Sequence, residues 1–284
     1  IIFVLKNRIL LLYITIDDTR RFYILHCIMK LGFIGTGKIA SSVITGVCTS
    51  KISFQKIFVS PRNRNIAENL KKKFKKVNIA KTNQEIVDKC NWVFLAVTPK
   101  VGAKILPKLN FRSNQKIISF ISTINLAQLK KIVKKRVKIV RAIPLPPISL
   151  GKGPVPICPP DNQVRKFFNK IGTTVEIRSE RSSKNFWATS GMMAPFYEML
   201  KVLSDWLVKK GIKRNESQKY ITSLFVALSE DSAINSKKHL KYLVSESQTP
   251  GGLNEQGVKE LRKSGFYKSL EKSLNSILKR LNKA

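Results

Sequence analysis

The chain has 284 residues, enough for one large domain or two ordinary ones. With 43% hydrophobic and 25% charged residues it can bury a core, which excludes a wholly disordered chain; the absence of any run of 18 apolar residues excludes a transmembrane helix. Lys and Arg number 53 against 17 Asp and Glu, a formal net charge of +36.

Such a charge raises the question of nucleic acid or an anionic membrane surface. The cations are spread along the whole chain, however. The one dense run, Lys71-Lys72-Lys73-Phe74-Lys75-Lys76, reads as the solvated end of a helix. There is no zinc-finger spacing and no RNA-binding aromatic motif, so neither nucleic acid nor membrane is the expected partner. An anionic cofactor is a further reason to keep this charge. Cys27, Cys48, Cys90 and Cys158 form no C-x-x-C pair, and His26 and His239 are the only histidines. No metal site is expected, and a reduced, cytoplasmic protein is.

Residues 1–28 mix Ile and Leu with Lys6, Arg8, Asp17, Asp18, Arg20 and Arg21. Their apolar run, 9–16, has the length of a signal segment without a small-residue cleavage site after it. An uninterrupted strand-and-turn pattern starts at Met29. Met29 therefore reads as the natural start, and 1–28 as an upstream extension, not native or poorly ordered.

Lys30-Leu31-Gly32-Phe33-Ile34 is a short apolar strand that runs into Gly35-Thr36-Gly37-Lys38-Ile39-Ala40. Ile39, Val43, Ile44 and Val47 then recur at helical spacing. Strand, G-x-G-x-x-A turn and helix in this order form a dinucleotide-binding fingerprint. Gly35 permits the tight turn, Gly37 lets the backbone approach a pyrophosphate, and Ala40 lets the helix pack close. The helix N-terminus offers its N–H groups to the anion. The second strand, Lys56-Ile57-Phe58-Val59, ends at Ser60-Pro61-Arg62-Asn63-Arg64 with no acid before Glu68. An acid here would bind a ribose 2′-hydroxyl. A hydroxyl and guanidinium groups suit a 2′-phosphate, so NADPH is expected, with NADH as the alternative.

Trp92-Val93-Phe94-Leu95-Ala96-Val97, Lys116-Ile117-Ile118-Ser119-Phe120-Ile121 and Val137-Lys138-Ile139-Val140-Arg141-Ala142 are further strands, separated by lysine-rich helical segments. The first of these, a continuous apolar run, suits a strand buried on both faces. Two weaker strands, at Val155-Pro156-Ile157 and Thr174-Val175-Glu176-Ile177, complete the sheet. The alternation predicts an α/β fold: a Rossmann-type doubly wound nucleotide-binding domain over 29–180.

After about Glu180 the period becomes helical. Phe196, Met199, Leu200, Leu203 and Leu207 mark one face. Residues 220–234 read as a helix apolar on more than one side, which implies burial between helices across a subunit interface. The last helix carries Phe266, Leu270, Leu274, Ile277, Leu278 and Leu281. An all-helical dimerisation and substrate domain over 181–284 follows. Thr249-Pro250-Gly251-Gly252 interrupts it, because Pro-Gly-Gly cannot sit inside a helix. It makes a bend, with Asn254 and Glu255 placed to begin the next helix.

The order of these motifs resembles the pyrroline-5-carboxylate reductase family over 29–281. Phe33-Ile34-Gly35-Thr36-Gly37-Lys38-Ile39-Ala40 is similar to the family's opening turn, and Asn83 matches a family cofactor contact. Ala96-Val97-Thr98-Pro99-Lys100 looks like the family's A-V-K-P-Q, and Val140-Arg141-Ala142-Ile143-Pro144 like V-R-A-M-P. Ser190-Gly191 and Thr249-Pro250-Gly251-Gly252 resemble S-G-S-G-P and S-P-G-G-T-T. The resemblance implies that hydride from NADPH reduces the C=N bond of a cyclic imino acid, giving proline. It also implies a homodimer or larger homo-oligomer built by the C-terminal helices. The cofactor set would be Phe33 to Ala40 as quoted, with Ser60, Arg62, Asn83, Ala96, Val97, Thr98 and Pro99. The substrate would meet Ser190, Gly191 and Met192 on one segment and Thr249, Gly251, Gly252, Leu253 and Asn254 on the other.

The departures lie on the substrate side. P-N-T-P reads Pro144-Leu145-Pro146-Pro147, S-G-S-G reads Ser190-Gly191-Met192-Met193, and G-G-T-T reads Gly251-Gly252-Leu253-Asn254. The hydroxyl expected near the imine nitrogen is absent, leaving Asn254 or Thr249 as donors. Two alternatives stay within the scaffold: a reductase of a bulkier imine or carbonyl, and a catalytically weak NADP-binding protein. A β-hydroxyacid dehydrogenase would need a lysine after a helix glycine, and Lys201 follows Gly191 at the wrong spacing.

Overall fold

The computed structural model describes residues 29–134 and 137–283, together with the backbone of 4–5 and 8–9. The latter form a short antiparallel ribbon, β1 (Val4–Leu5) with β2 (Arg8–Ile9), outside the main sheet. The expectation that 1–28 is an extension otherwise falls outside the described residues. Contacts divide the chain into two units, 1–178 and 179–284.

The first unit is built on β3 (Lys30–Ile34), β4 (Lys56–Val59), β5 (Val77–Ile79), β6 (Trp92–Leu95), β7 (Lys116–Ser119) and β8 (Lys138–Ala142). These pair in parallel in the order β5-β4-β3-β6-β7-β8, the doubly wound order with its switch between β3 and β6. β9 (Pro154–Cys158) joins β8 antiparallel, and β10 (Thr173–Glu176) lies parallel to β9. Both weak strands thus complete the sheet, running against the other six. β5 was absent from the sequence reading: three residues beside a lysine run carry no periodic signal, and pairing with β4 makes them a strand.

Helices cover both faces. α1 (Lys38–Thr49) buries Ala40, Val43, Ile44 and Val47 against the sheet, the face its spacing predicts. α3 (Asn83–Lys89) packs on β3, and the fit is close: a Cβ on Gly32 would lie 2.3 Å from Ile86 Cγ2. Phe33 and Phe94, on adjacent strands, stack at 4.4 Å beneath the switch point. At the start of β7, Lys116 pairs with Asp161, the N-cap of α6 (Asn162–Phe168), at 2.7 and 2.8 Å.

The second unit is six helices: α7 (Glu180–Ser190), α8 (Met193–Lys209), α9 (Arg214–Ile234), α10 (Lys241–Glu246), α11 (Leu253–Lys263) and α12 (Phe266–Lys283). α8 and α9 pair as a hairpin, sealed by Ser204 and Ser217, whose hydroxyls lie 3.0 Å apart. α7 and α11 each pack on α12. Little is buried: of α9 only Ser217 and Ile221 are, whereas Tyr220, Leu224, Val226, Leu228 and Ile234 face solvent. No helix among the described residues is long and apolar enough to cross a membrane.

Candidate functional site

The turn after β3 is held by its neighbours. Gly35 has φ +101°, and a Cβ there would lie 2.5 Å from the Ala96 carbonyl oxygen and 2.7 Å from Val97 Cγ1. Only glycine fits this conformation and this approach. Gly35 N–H donates to Ser60 Oγ at 2.9 Å, and Thr36 Oγ1 donates to the Ser60 carbonyl at 2.8 Å. Ser60 Oγ donates in turn to Asn83 Oδ1 at 2.5 Å. One buried hydroxyl thereby joins the turn after β3, the end of β4 and the start of α3.

Gly37 is the N-cap of α1 and has ordinary dihedrals, φ −91° and ψ −172°. A Cβ there would meet nothing within 4 Å. The space that Gly37 leaves is thus open to a ligand rather than filled by protein. α1 has no side-chain cap and no acid in its first turn, so its leading N–H groups face that space unsatisfied by the helix.

This space belongs to an open cleft of about 670 Å³ at the carboxyl ends of β3, β4 and β6. It is lined by Gly35, Thr36, Gly37, Arg62, Ala96, Val97 and Thr98 from the expected set. Phe33, Ile34 and Ala40 lie beneath it as buried supports, and Lys38 is exposed at the first position of α1. Thr98 caps α4 (Pro99–Ile105) without a side-chain bond, and Pro99 opens that helix. Ser60 and Asn83 are not lining residues. Ser60, expected at the ribose, is 3% exposed and spends its proton on Asn83, so in this arrangement it holds the turn.

The wall also includes Asn63, Arg64, Asn65 and Val101, of which the sequence reading had singled out only Arg64. α2 (Arg64–Lys73) begins at this wall, and its uncapped first turn contains no acid. That acid-free start at the end of β4 was a usable signal for a second anion-friendly helix end. Arg64 is loosely paired with Glu68 at 3.4 Å, whereas Arg62 has no ion-pair partner among the described residues. Two guanidinium groups and two carboxamides on one wall suit a phosphate.

The substrate-side residues occupy two junctions in the helical unit. Ser190 ends α7 and donates to the Phe186 carbonyl at 3.0 Å, which turns its hydroxyl back onto its own helix. Gly191 lies under Ile277, whose Cδ1 would be 2.9 Å from a Cβ, and Met192 caps α8. The other junction joins α10 to α11. There Gly252 N–H donates to the Thr249 carbonyl at 2.8 Å and Asn254 Nδ2 donates to the Ser247 carbonyl at 2.8 Å. Gly251 N–H donates to Glu255 Oε2 at 2.8 Å, and Lys259 pairs with Glu255 Oε1 at 2.9 Å. These two bonds hold the Glu255 carboxyl below its usual range, Lys259 more than Gly251. The Thr249 hydroxyl makes no hydrogen bond within the described residues. Leu253 opens α11 at 85% exposure. No cluster able to hold a metal ion occurs among the described residues.

Two family models match this chain. Residues 30–125 match "NADP oxidoreductase coenzyme F420-dependent", and residues 180–284 match "Pyrroline-5-carboxylate reductase dimerisation". Pyrroline-5-carboxylate reductase of Aquifex aeolicus is 26% identical over 275 residues, covering 90% of this chain and 97% of the relative. Pyrroline-5-carboxylate reductase 3 of Xenopus laevis is 25% identical over 251 residues, covering 84% and 89%. Among solved structures, pyrroline-5-carboxylate reductase from Streptococcus pyogenes shares the fold with TM-score 0.75 at 23% identity, covering 90% of this chain and 99% of that one. The Plasmodium falciparum enzyme, solved with NADP bound, gives TM-score 0.76 at 24% identity, covering 89% and 97%. A Rossmann unit with this glycine cradle, followed by helices that match the pyrroline-5-carboxylate reductase dimerisation model, makes the chain similar to pyrroline-5-carboxylate reductases along nearly their full length.

Proposed function

We propose that the chain reduces 1-pyrroline-5-carboxylate to proline at the expense of NADPH. The observation that carries this reading is the cleft at the switch point: its glycine cradle is open at Gly37, faced by an uncapped helix and walled by Arg62 and Arg64. This donor set fits a dinucleotide pyrophosphate and a 2′-phosphate. The leading N–H groups of α1 hold the pyrophosphate, and Arg62 with Arg64 takes the 2′-phosphate. Thr98 and Pro99 flank the far side, while Ser60 and Asn83 keep the turn in shape. When bound, the cofactor supplies a hydride to the imine carbon.

The chain must also provide a hydrogen bond to the nitrogen that becomes an amine. Thr249 and Asn254 are the donors of the α10–α11 junction. Asn254 already gives one N–H to Ser247, so the uncommitted Thr249 hydroxyl is the better placed in chemistry. Backbone N–H groups at the start of α11 favour the substrate carboxylate. Assembly into a homodimer or larger homo-oligomer through the helical unit is part of the proposal, supported by the apolar side chains that unit exposes. The free thiols of Cys48 and Cys90 suit a reducing cytoplasm.

The test is purified protein with NADPH and pyrroline-5-carboxylate, following NADPH absorbance and proline together. Proline formed in step with NADPH loss is the expected result; firm NADPH binding without proline overturns the substrate. The exposed Leu253 favours one second reading, a bulkier or more apolar cyclic imine, and a panel of such imines decides between them.

A further inference from the structure

The α10–α11 junction contains a Gly-Gly pair, the backbone with the largest conformational freedom to lose. Gly251 sits at φ +74°, and Gly252 is pressed against Thr249, whose Oγ1 would lie 2.3 Å from a Cβ. Left to itself such a turn samples many arrangements. Here a side chain from the first turn of α11 reaches back over it. Glu255 accepts the Gly251 N–H at one carboxylate oxygen, and Lys259, one helical turn on, grips the other. Asn254 ties Ser247, the C-cap of α10, to the same helix.

We propose that Glu255, braced by Lys259, is a positioning residue that presets the Thr249–Gly252 turn for the substrate. The proposal rests on the reading that this turn meets the imino acid. The hydrogen bond fixes the Pro250–Gly251 peptide plane before substrate arrives, so the cost of ordering it is not charged to binding. It also removes the Gly251 N–H from competition, leaving the N–H groups of Leu253 and Asn254 at the helix start to face an anion. Lys259 acts on the carboxylate rather than on the turn, and its side chain is 68% exposed, so its own contribution is small.

The experiment compares Glu255→Ala, Glu255→Gln and Lys259→Ala in the full chain. Glu255→Ala is expected to raise KM for pyrroline-5-carboxylate about tenfold, with kcat and NADPH affinity unchanged. Glu255→Gln keeps an acceptor for Gly251 and should return KM to within about threefold of wild type, as should Lys259→Ala. Unchanged KM in Glu255→Ala, or a loss in kcat alone, overturns the proposal. So does Glu255→Gln behaving like the alanine variant. A wild-type protein that makes no proline refutes the proposed reaction instead. The brace is then decided by amide hydrogen exchange: Gly251 must exchange faster in Glu255→Ala while exchange in α12 stays as in wild type, and equal Gly251 protection refutes it.

Discussion

Gly35 and Gly37 stand two residues apart in one turn, and their replacement should fail in opposite ways. At Gly35 an alanine must adopt φ +101° and push its Cβ to 2.5 Å from the Ala96 carbonyl oxygen. The conformation costs about 1–2 kcal/mol and the forced backbone shift about 1–3 kcal/mol. For a unit of this size the sum lowers Tm by roughly 5–15 °C. At Gly37 the dihedrals suit any residue and the added atoms meet open space. Gly37→Val should therefore cost at most about 1 kcal/mol, the difference between a glycine and a poor helix cap. Its side chain instead fills the position where the pyrophosphate approaches α1. Losing two charge-assisted hydrogen bonds there removes about 3 kcal/mol or more, a rise in NADPH Kd of about 100-fold or more. Thermal melts without cofactor and fluorescence titration with NADPH separate the two effects. Gly37→Val protein that binds NADPH as wild type does would refute the cradle, and an unshifted Tm in Gly35→Ala would refute the steric argument.

Arg62→Ala should raise NADPH Kd about 10- to 100-fold and leave NADH within about twofold, since one guanidinium–phosphate contact is worth about 1.5–3 kcal/mol; equal losses for both cofactors would remove Arg62 from the 2′-phosphate. Thr249→Val keeps the shape and deletes the hydroxyl, so steady-state kinetics should show kcat about 100-fold lower, with a smaller loss in Asn254→Ala. Lys116→Met strands the mostly buried Asp161 carboxylate and should destabilise the protein by about 3 kcal/mol in urea titrations. Asp161 is held below its usual carboxyl range because hydrogen bonds from Lys116 and Val164 outweigh the opposing effect of burial. A lowered folded pKa stabilises above the unfolded value near 3.9, so the gap between wild type and variant should close as pH falls below about 4. Finally, Tm should rise with protein concentration, as it does when folding is linked to assembly; a concentration-independent Tm would argue for a self-sufficient monomer.

What was legible in the sequence follows from where each signal resides. A strand buried on both faces announces itself as an unbroken apolar run, as β6 does from Trp92 onward, and the apolar-rich segments from Lys116 and Val137 mark β7 and β8. The cradle was legible because its three parts are consecutive and each glycine has a separate geometric reason. β5 carried no such signal, and the reversal of β9 and β10 was invisible because side-chain pattern encodes a strand and not its direction. The cleft wall at Asn63 and Asn65 depends on where α2 starts relative to β3, a property of the sheet order. Ser60 was read as a ligand from its place after β4. Its bonds to Gly35 and Asn83, 25 and 23 residues away, join it to the turn after β3 and to the start of α3, and no local pattern could have announced them.

The two units differ in how much apolar surface they leave exposed. The nucleotide unit closes its core, and among the described residues only Leu150 of its large apolar side chains is exposed. The helical unit exposes Phe186, Phe196, Trp206, Tyr220, Val226, Leu228, Ile234 and more. Covering one such side chain yields roughly 1.5 kcal/mol or more, so six of them are worth about 9 kcal/mol, comparable to the whole stability of a domain. That exposure agrees with the match of this unit to a dimerisation model. Two of the departures from the family pattern, at Met192 and Leu253, fall in the same unit, and the third, at Leu145, lies in the nucleotide unit. The cofactor cradle could be read from one strand, one turn and one helix, whereas the substrate-side residues are divided between two helix junctions, at 190–192 and 249–254, that no single local pattern joins.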